Sequence, residues 1–245
     1  MNWKKIVSLA SFCLLVAATP TSHAESFANA QLSGFTYTLI DLNPGDGIAP
    51  SLTLTNPSYW IAAAAYPDSS GQPNPVDIIN HAGGASVTDS TGGATALYVG
   101  TLAFSFTHVS GTSPRFFADT IVQWDFALTP HTAAVIMGYG SISSQQTSEA
   151  MVDAYAAVFA SYKANPADLY DTYLDDSLYS YLGPQQSRVL NTTVIAGDAE
   201  LDGRLGFSAS TSGQSFAAPV PEPETYAMFL GGLVVVTFAR RRSMA

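Results

Sequence analysis

Between Gln31 and Ser212 the chain is a succession of short β-branched and aromatic runs cut by Gly, Pro, Asn and Asp, and no feature narrows its fold more. In "QLSGFTYTLIDL" the apolar positions alternate through Leu32, Phe35, Tyr37 and Leu39, and "NPGDG" then supplies a turn. "SLTLTN", "YWIAAAAY", "ASVTDS", "ALYVGTLAFSFTHV", "DTIVQWDFAL" and "TAAVIMGYGSIS" follow at short spacing. Thr129-Pro130-His131-Thr132 reads as a tight corner, with Pro130 presetting the first bend. "SRVLNTTVIAG" and "LDGRLGFSASTS" read as a further antiparallel pair. Many strands without interleaved helices predict an all-β fold, an antiparallel β-sandwich of jelly-roll-like or Ig-like type, over residues 25–218.

Three segments need separate treatment. Residues 148–163 carry an apolar face at helical spacing (Met151, Tyr155, Val158, Phe159, Tyr162) and also an alternating set (Val152, Ala154, Ala156, Val158, Ala160). Helix and strand both fit, and the all-β surroundings favour strand. Residues 72–93 read as loop and edge strand, and the tyrosine-rich, acidic residues 164–183 as exposed surface.

Hydrophobic residues make up 47% of the chain and charged residues 11%, enough to bury a core and too little charge to keep the chain expanded. Without the two ends, the body holds 4 basic against 17 acidic residues, a formal charge of −13. Such a body repels phosphate backbones, and nucleic acid is excluded as a partner. The single cysteine, Cys13, lies in an N-terminal apolar run, so the body has no disulfide framework.

The N-terminus has the three parts of a secretory signal: Lys4 and Lys5, an apolar run over residues 6–18, and small residues at Ser22 and Ala24. The run amounts to roughly 20 Å of helix, too short to span a bilayer comfortably. Cleavage by signal peptidase is expected between Ala24 and Glu25, leaving 1–24 as the signal peptide. Cys13 follows Ser11-Phe12 deep inside the run, which does not suit lipidation.

At the other end, residues 225–239 carry no charge and Arg240, Arg241 and Arg242 follow at once. As a helix the run extends about 22 Å against a hydrocarbon core of about 30 Å. The arginine stems can reach back along the acyl chains with their heads among anionic lipids, and basic flanks stay cytoplasmic. Ahead of the run, Pro221 and Pro223 fix φ and hold Glu222 in a stiff, extended peptide suited to a processing enzyme's groove. Val220-Pro221-Glu222-Pro223, then Thr225-Tyr226, the apolar run and Arg240 to Arg242 closely resemble the PEP-CTERM sorting signal of Gram-negative bacteria, here over 219–245. Glu224 departs slightly, since many members have a small residue there. The resemblance implies an exosortase, a membrane-embedded cysteine transpeptidase-like enzyme, that cuts near Pro221-Glu222-Pro223 and releases or transfers the body. It also implies a transient inner-membrane stage and an association with exopolysaccharide and biofilm.

Within the body, Asp41, Asn43 and Asp46 superficially resemble the start of a calcium loop, yet Gly45 occupies a usual ligand position and no downstream acid closes the shell. The favoured reading is a strand-ending turn with side-chain caps. Asp198, Glu200 and Asp202 would share one face of a strand; they read as a solvated edge, with Ca2+ as the alternative. No metal centre and no other cofactor is expected. His81, His108 and His131 lack metal-ligand spacing, with His108 read as a strand residue, and no G-x-S-x-G turn is present. Trp60 and Trp124 are expected in the core. The expectation is a non-catalytic exported protein of the surface or matrix, structural or glycan-binding. The alternative is a carbohydrate-active hydrolase using paired acids such as Asp175 or Asp198.

Overall fold

The computed structural model describes residues 25–66, 76–110, 115–148, 150–163 and 171–216. The signal peptide, the Pro221-Glu222-Pro223 peptide, residues 225–239 and the arginine cluster lie outside the described residues. Twelve strands follow one another: β1 (Ser26–Asp41), β2 (Leu52–Tyr66), β3 (Val76–Ile79), β4 (Gly83–Thr88), β5 (Gly92–Val99), β6 (Leu102–Val109), β7 (Arg115–Leu128), β8 (Thr132–Gln145), β9 (Ala150–Tyr162), β10 (Thr172–Tyr179), β11 (Gln185–Ile195) and β12 (Leu201–Ser215). A turn of 3-10 helix at Ser180–Leu182 is the only helical element among the described residues, where no helix is long and apolar enough to cross a membrane.

The strands form two six-stranded antiparallel sheets that face each other as a sandwich. Sheet A has the order β11-β8-β1-β6-β5-β4 and sheet B the order β10-β9-β12-β7-β2-β3. Alternation drives this arrangement: β1 begins with Ser26, Ala28, Ala30 and Leu32 buried and the residues between them half-exposed. Of the ambiguous residues 148–163, Ala150–Tyr162 form strand β9, whose Ala154, Ala156, Val158 and Ala160 join the core. Residues 72–93 supply β3 and β4, which are edge strands of sheets B and A. The tyrosine-rich segment contributes β10, an edge strand whose Leu178 is buried.

Alanine and hydroxyl residues let the sheets approach closely at mid-sandwich. Ser105 Oγ on β6 donates to the carbonyl of Ala209 on β12 at 2.7 Å, and Thr120 Oγ1 on β7 donates to that of Phe104 on β6 at 2.9 Å. Toward the end where β7 finishes and β12 begins, the gap is filled by Phe35, Trp124 and Phe207, whose rings lie 5.2 to 5.8 Å apart. Trp124 therefore packs on the core as expected, but Trp60 does not. It alternates with the core residue Ile61 on β2, points away from the core and is 47% exposed.

A second correction concerns the last two strands. They do not pair with each other: β11 pairs with β8 in sheet A, and β12 with β7 and β9 in sheet B. The residues between them, including Gly197 and Asp198, cross from one sheet to the other. The corner at Thr129 to Thr132 does the same, joining β7 of sheet B to β8 of sheet A. These crossings, with the β1–β2 connection, gather at one end of the sandwich and build the site.

Candidate functional site

A cleft of about 1100 Å³ opens where β2 starts, β7 and β9 finish and β12 begins. Strand register supplies its polar row: Thr55 on β2 is opposite Asp125 on β7, Asp125 opposite Arg204 on β12, and Arg204 opposite Ser161 on β9; outside the cleft lining the row continues to Tyr173 on β10, opposite Ser161. At the usual strand spacing this row spans roughly 19 Å across five strands. A bulge in β2 shapes one end. The register shifts between Thr55 and Ser58, and Asn56 takes φ 49°, a left-handed conformation that Asn tolerates better than most residues. That conformation aims Asn56 Nδ2 at Asp125 Oδ2, 3.0 Å away, while Arg204 Nε donates to Asp125 Oδ1 at 3.3 Å. Both carboxylate oxygens of Asp125 are thus engaged.

Asp198, Glu200 and Asp202 all line this cleft. Only Asp202 belongs to a strand, so the shared strand face expected for the three is not formed; Asp198 and Glu200 precede β12 in its crossing connection. With Asp125 and Asp171 they outnumber the lining cations, Lys163 and Arg204, and the cleft is acidic. Asp175 is not among the lining residues and stands on β10 opposite Phe159, so the cleft brings Asp198 but not Asp175 to its surface.

The other acidic cluster is a turn. Asp41 Oδ1 accepts from the backbone N–H of Asn43 at 2.9 Å, and Asp46 Oδ1 accepts from that of Ile48 at 2.7 Å. Among the described residues, no group of three or more His, Cys, Asp or Glu side chains is arranged to hold a metal ion.

Two acids read as members of separate clusters meet through a histidine. His131 Nδ1 lies 2.5 Å from Asp46 Oδ2, and its Nε2 lies 3.0 Å from Asp198 Oδ1. The corner forces this position: His131 has φ 51°, its N–H donates to the carbonyl of Gly197, and its own carbonyl accepts from Leu42. The bond to Asp46, then that to Asp198, raises the imidazole above its ordinary pKa despite some desolvation. Asp46 is held below the usual carboxylate range, first by His131 and then by the Ile48 amide. Sequence reading placed His131 in a corner but gave it no partner. Asp46 and Asp198 lie 85 and 67 residues from it, and no local spacing could have joined them. His108, by contrast, is a strand residue of β6 as expected.

Comparison with known proteins adds the C-terminal end. Residues 219–243 match the family model described as the PEP-CTERM protein-sorting motif. No curated protein and no solved structure matches the chain. The chain carries a PEP-CTERM protein-sorting motif, and that motif marks it as an exported, exosortase-targeted protein.

Proposed function

We propose that the mature body is a non-catalytic, glycan-contacting protein, held at the inner membrane by its tail until an exosortase cuts near Pro221-Glu222-Pro223, and then resident at the cell surface or in the extracellular polysaccharide matrix. Signal peptidase acts first, between Ala24 and Glu25. The observation that carries the binding part is the polar row from Thr55 to Ser161 in the cleft, continued beyond its lining to Tyr173 on β10. It offers amide, hydroxyl, guanidinium and carboxylate groups, with the exposed ring of Tyr173 at its end, across a span that suits several sugar rings. The excess of acids favours a neutral chain over an anionic one. Binding needs no metal ion in this reading.

Affinity electrophoresis of the exported protein through gels containing soluble neutral β-glucan or galactomannan tests it. Retardation on at least one polymer, reduced by Tyr173→Ala, is expected, with no release of reducing ends. Migration unaffected by every polymer would remove the binding role. Release of reducing ends that Asp198→Asn abolishes would replace it with a hydrolase.

A further inference from the structure

We propose that Asp46, His131 and Asp198 form a proton-dependent clasp across the end of the sandwich, closed while both ring nitrogens of His131 carry protons, which holds the β11–β12 wall of the cleft in place. This concerns the regulation of the cleft assigned to binding above and takes its importance from that reading, although its test requires no ligand.

The argument is one of donors and acceptors. An ionised carboxylate only accepts, and a neutral imidazole has one N–H; the contacts at 2.5 and 3.0 Å are both donated only by the imidazolium. When the ring loses a proton, one contact becomes a lone pair facing a carboxylate. The two arms differ in shelter: the Asp46 side chain is 14% exposed, whereas that of Asp198 is fully exposed. The remaining proton therefore stays on Nδ1 with Asp46, and the Asp198 arm lets go. Gly197 stays tied to the corner through the His131 N–H, so the part released is the stretch that follows, where Asp198, Ala199 and Glu200 line the cleft.

The surroundings reinforce the acidic bias. The β1–β2 side presents Asp46 and, at the end of β1, Asp41. The β11–β12 side presents Asp198 and Glu200, with Asp202 at the start of β12, while Lys163 and Arg204 are the cations of the cleft. The corner itself, Thr129, Pro130 and Thr132, brings no other ionisable group. Because His131 titrates above its ordinary value and Asp46 below its own, the clasp is complete below about pH 6.5 and above about pH 4. It opens as pH rises through the raised His131 pKa, or as pH falls through the lowered Asp46 pKa.

Amide hydrogen exchange of the exported protein at pH 6 and pH 9, corrected for the intrinsic base-catalysed rate, reads the wall directly in peptides covering residues 196–200. In the wild type, exchange there should rise about threefold from pH 6 to pH 9, the scale of a surface ion pair. Peptides from the middle of β8 should not change. Asp198→Asn and His131→Asn should already show the faster rate at pH 6 and no further rise. Asn tolerates the left-handed corner at 131, and Asp198→Asn, at a fully exposed position, carries the test alone if the other variant does not fold. Equal protection in wild type and Asp198→Asn at pH 6, or no change in the wild type between the two pH values, overturns the clasp. Failure to bind any polysaccharide would remove the binding role and leave this result standing.

Discussion

Asp119 is the only charged residue among the described residues that is buried, at 8% exposure. It stands on β7 between Ala62 of β2 and Ser210 of β12, on the face of sheet B turned away from the main core. Burial pushes its carboxyl up to about 6, partly offset by the Ser210 hydroxyl, which donates at 2.5 Å, and by the Thr120 amide. A raised acid binds its proton more tightly in the folded state, so its contribution is greatest below about pH 4 and declines as pH climbs to about 6. The loss is on the order of 2–3 kcal/mol, from roughly two pKa units. Asp119→Asn mimics the protonated form and keeps an acceptor for Ser210. Urea denaturation at pH 4 and pH 7 should show the variant more stable than wild type by that order at pH 7 and nearly equal to it at pH 4. A variant less stable at pH 7 would mean the carboxylate is better accommodated than its burial implies. The sequence concealed this group for the same reason it concealed the His131 contacts. The acidity of a residue is visible in a string of letters, while its depth and its partners are set by strands far apart in the chain. Asp41 was legible as a turn cap because the N–H donor it accepts from is only two residues away; Asp46 caps Ile48 at the same spacing.

The strands illustrate the complementary case, since alternation is local and pairing is not. The first half of β1 follows the two-residue period of the letters, and so does the start of β9, whereas residues 156–160 of β9 and 205–209 of β12 are buried on both faces. Which strand lies beside which is decided by the crossings, and so β11 and β12, adjacent in sequence, end in opposite sheets. Side-chain bonds link the edge strands of the two sheets. On one side the Ser86 N–H of β4 donates to Asp77 Oδ2 of β3 at 2.9 Å. On the other, Arg188 of β11 grips Asp176 of β10 through two bonds of 2.7 and 2.5 Å, and the Asn191 N–H adds a third at 3.0 Å. One edge amide on each side, that of Ser86 and that of Asn191, is thus occupied by a carboxylate. Removing one should be felt: Asp176→Ala is expected to lower stability by about 1–2 kcal/mol at pH 7, since a bidentate guanidinium pair and a backbone amide lose their acceptor together. Arg188 and the Asn191 amide hold Asp176 below the usual carboxylate range, so its contribution is present above about pH 4 and disappears as pH falls through that lowered value. Guanidinium-induced unfolding of both proteins at pH 7 and pH 2 measures this, and a difference that persists undiminished at pH 2 would contradict it.

At the scale of the whole chain, the two ends and the body make separate physical demands. The body is acidic and cysteine-free, and its two sheets end in the edge strands β11, β4, β10 and β3. Under the proposed function the sorting motif at 219–243 has a membrane stage, in which its apolar run would enter the bilayer and its arginines would meet anionic lipid heads. An apolar run of about 22 Å is marginal across a core of about 30 Å. In that proposal it serves a transient hold rather than a permanent anchor, during which Pro221-Glu222-Pro223 is offered for cutting. Intact-mass analysis of protein recovered from the native host should accordingly find a chain that begins at Glu25 and lacks residues 225–245, with any added mass at its new C-terminus identifying what the exosortase transferred it to. Glu222→Ala should shift the population toward chains that keep the tail and fractionate with the inner membrane, because the substitution removes the charge presented between the two prolines. Replacing Arg240, Arg241 and Arg242 together should also prevent cutting, through loss of the cytoplasmic foot that sets the depth of the cleavage peptide. If wild-type protein from its host keeps its full tail, the run is an anchor and the matrix location fails. Cutting that survives both changes would instead move recognition away from the motif.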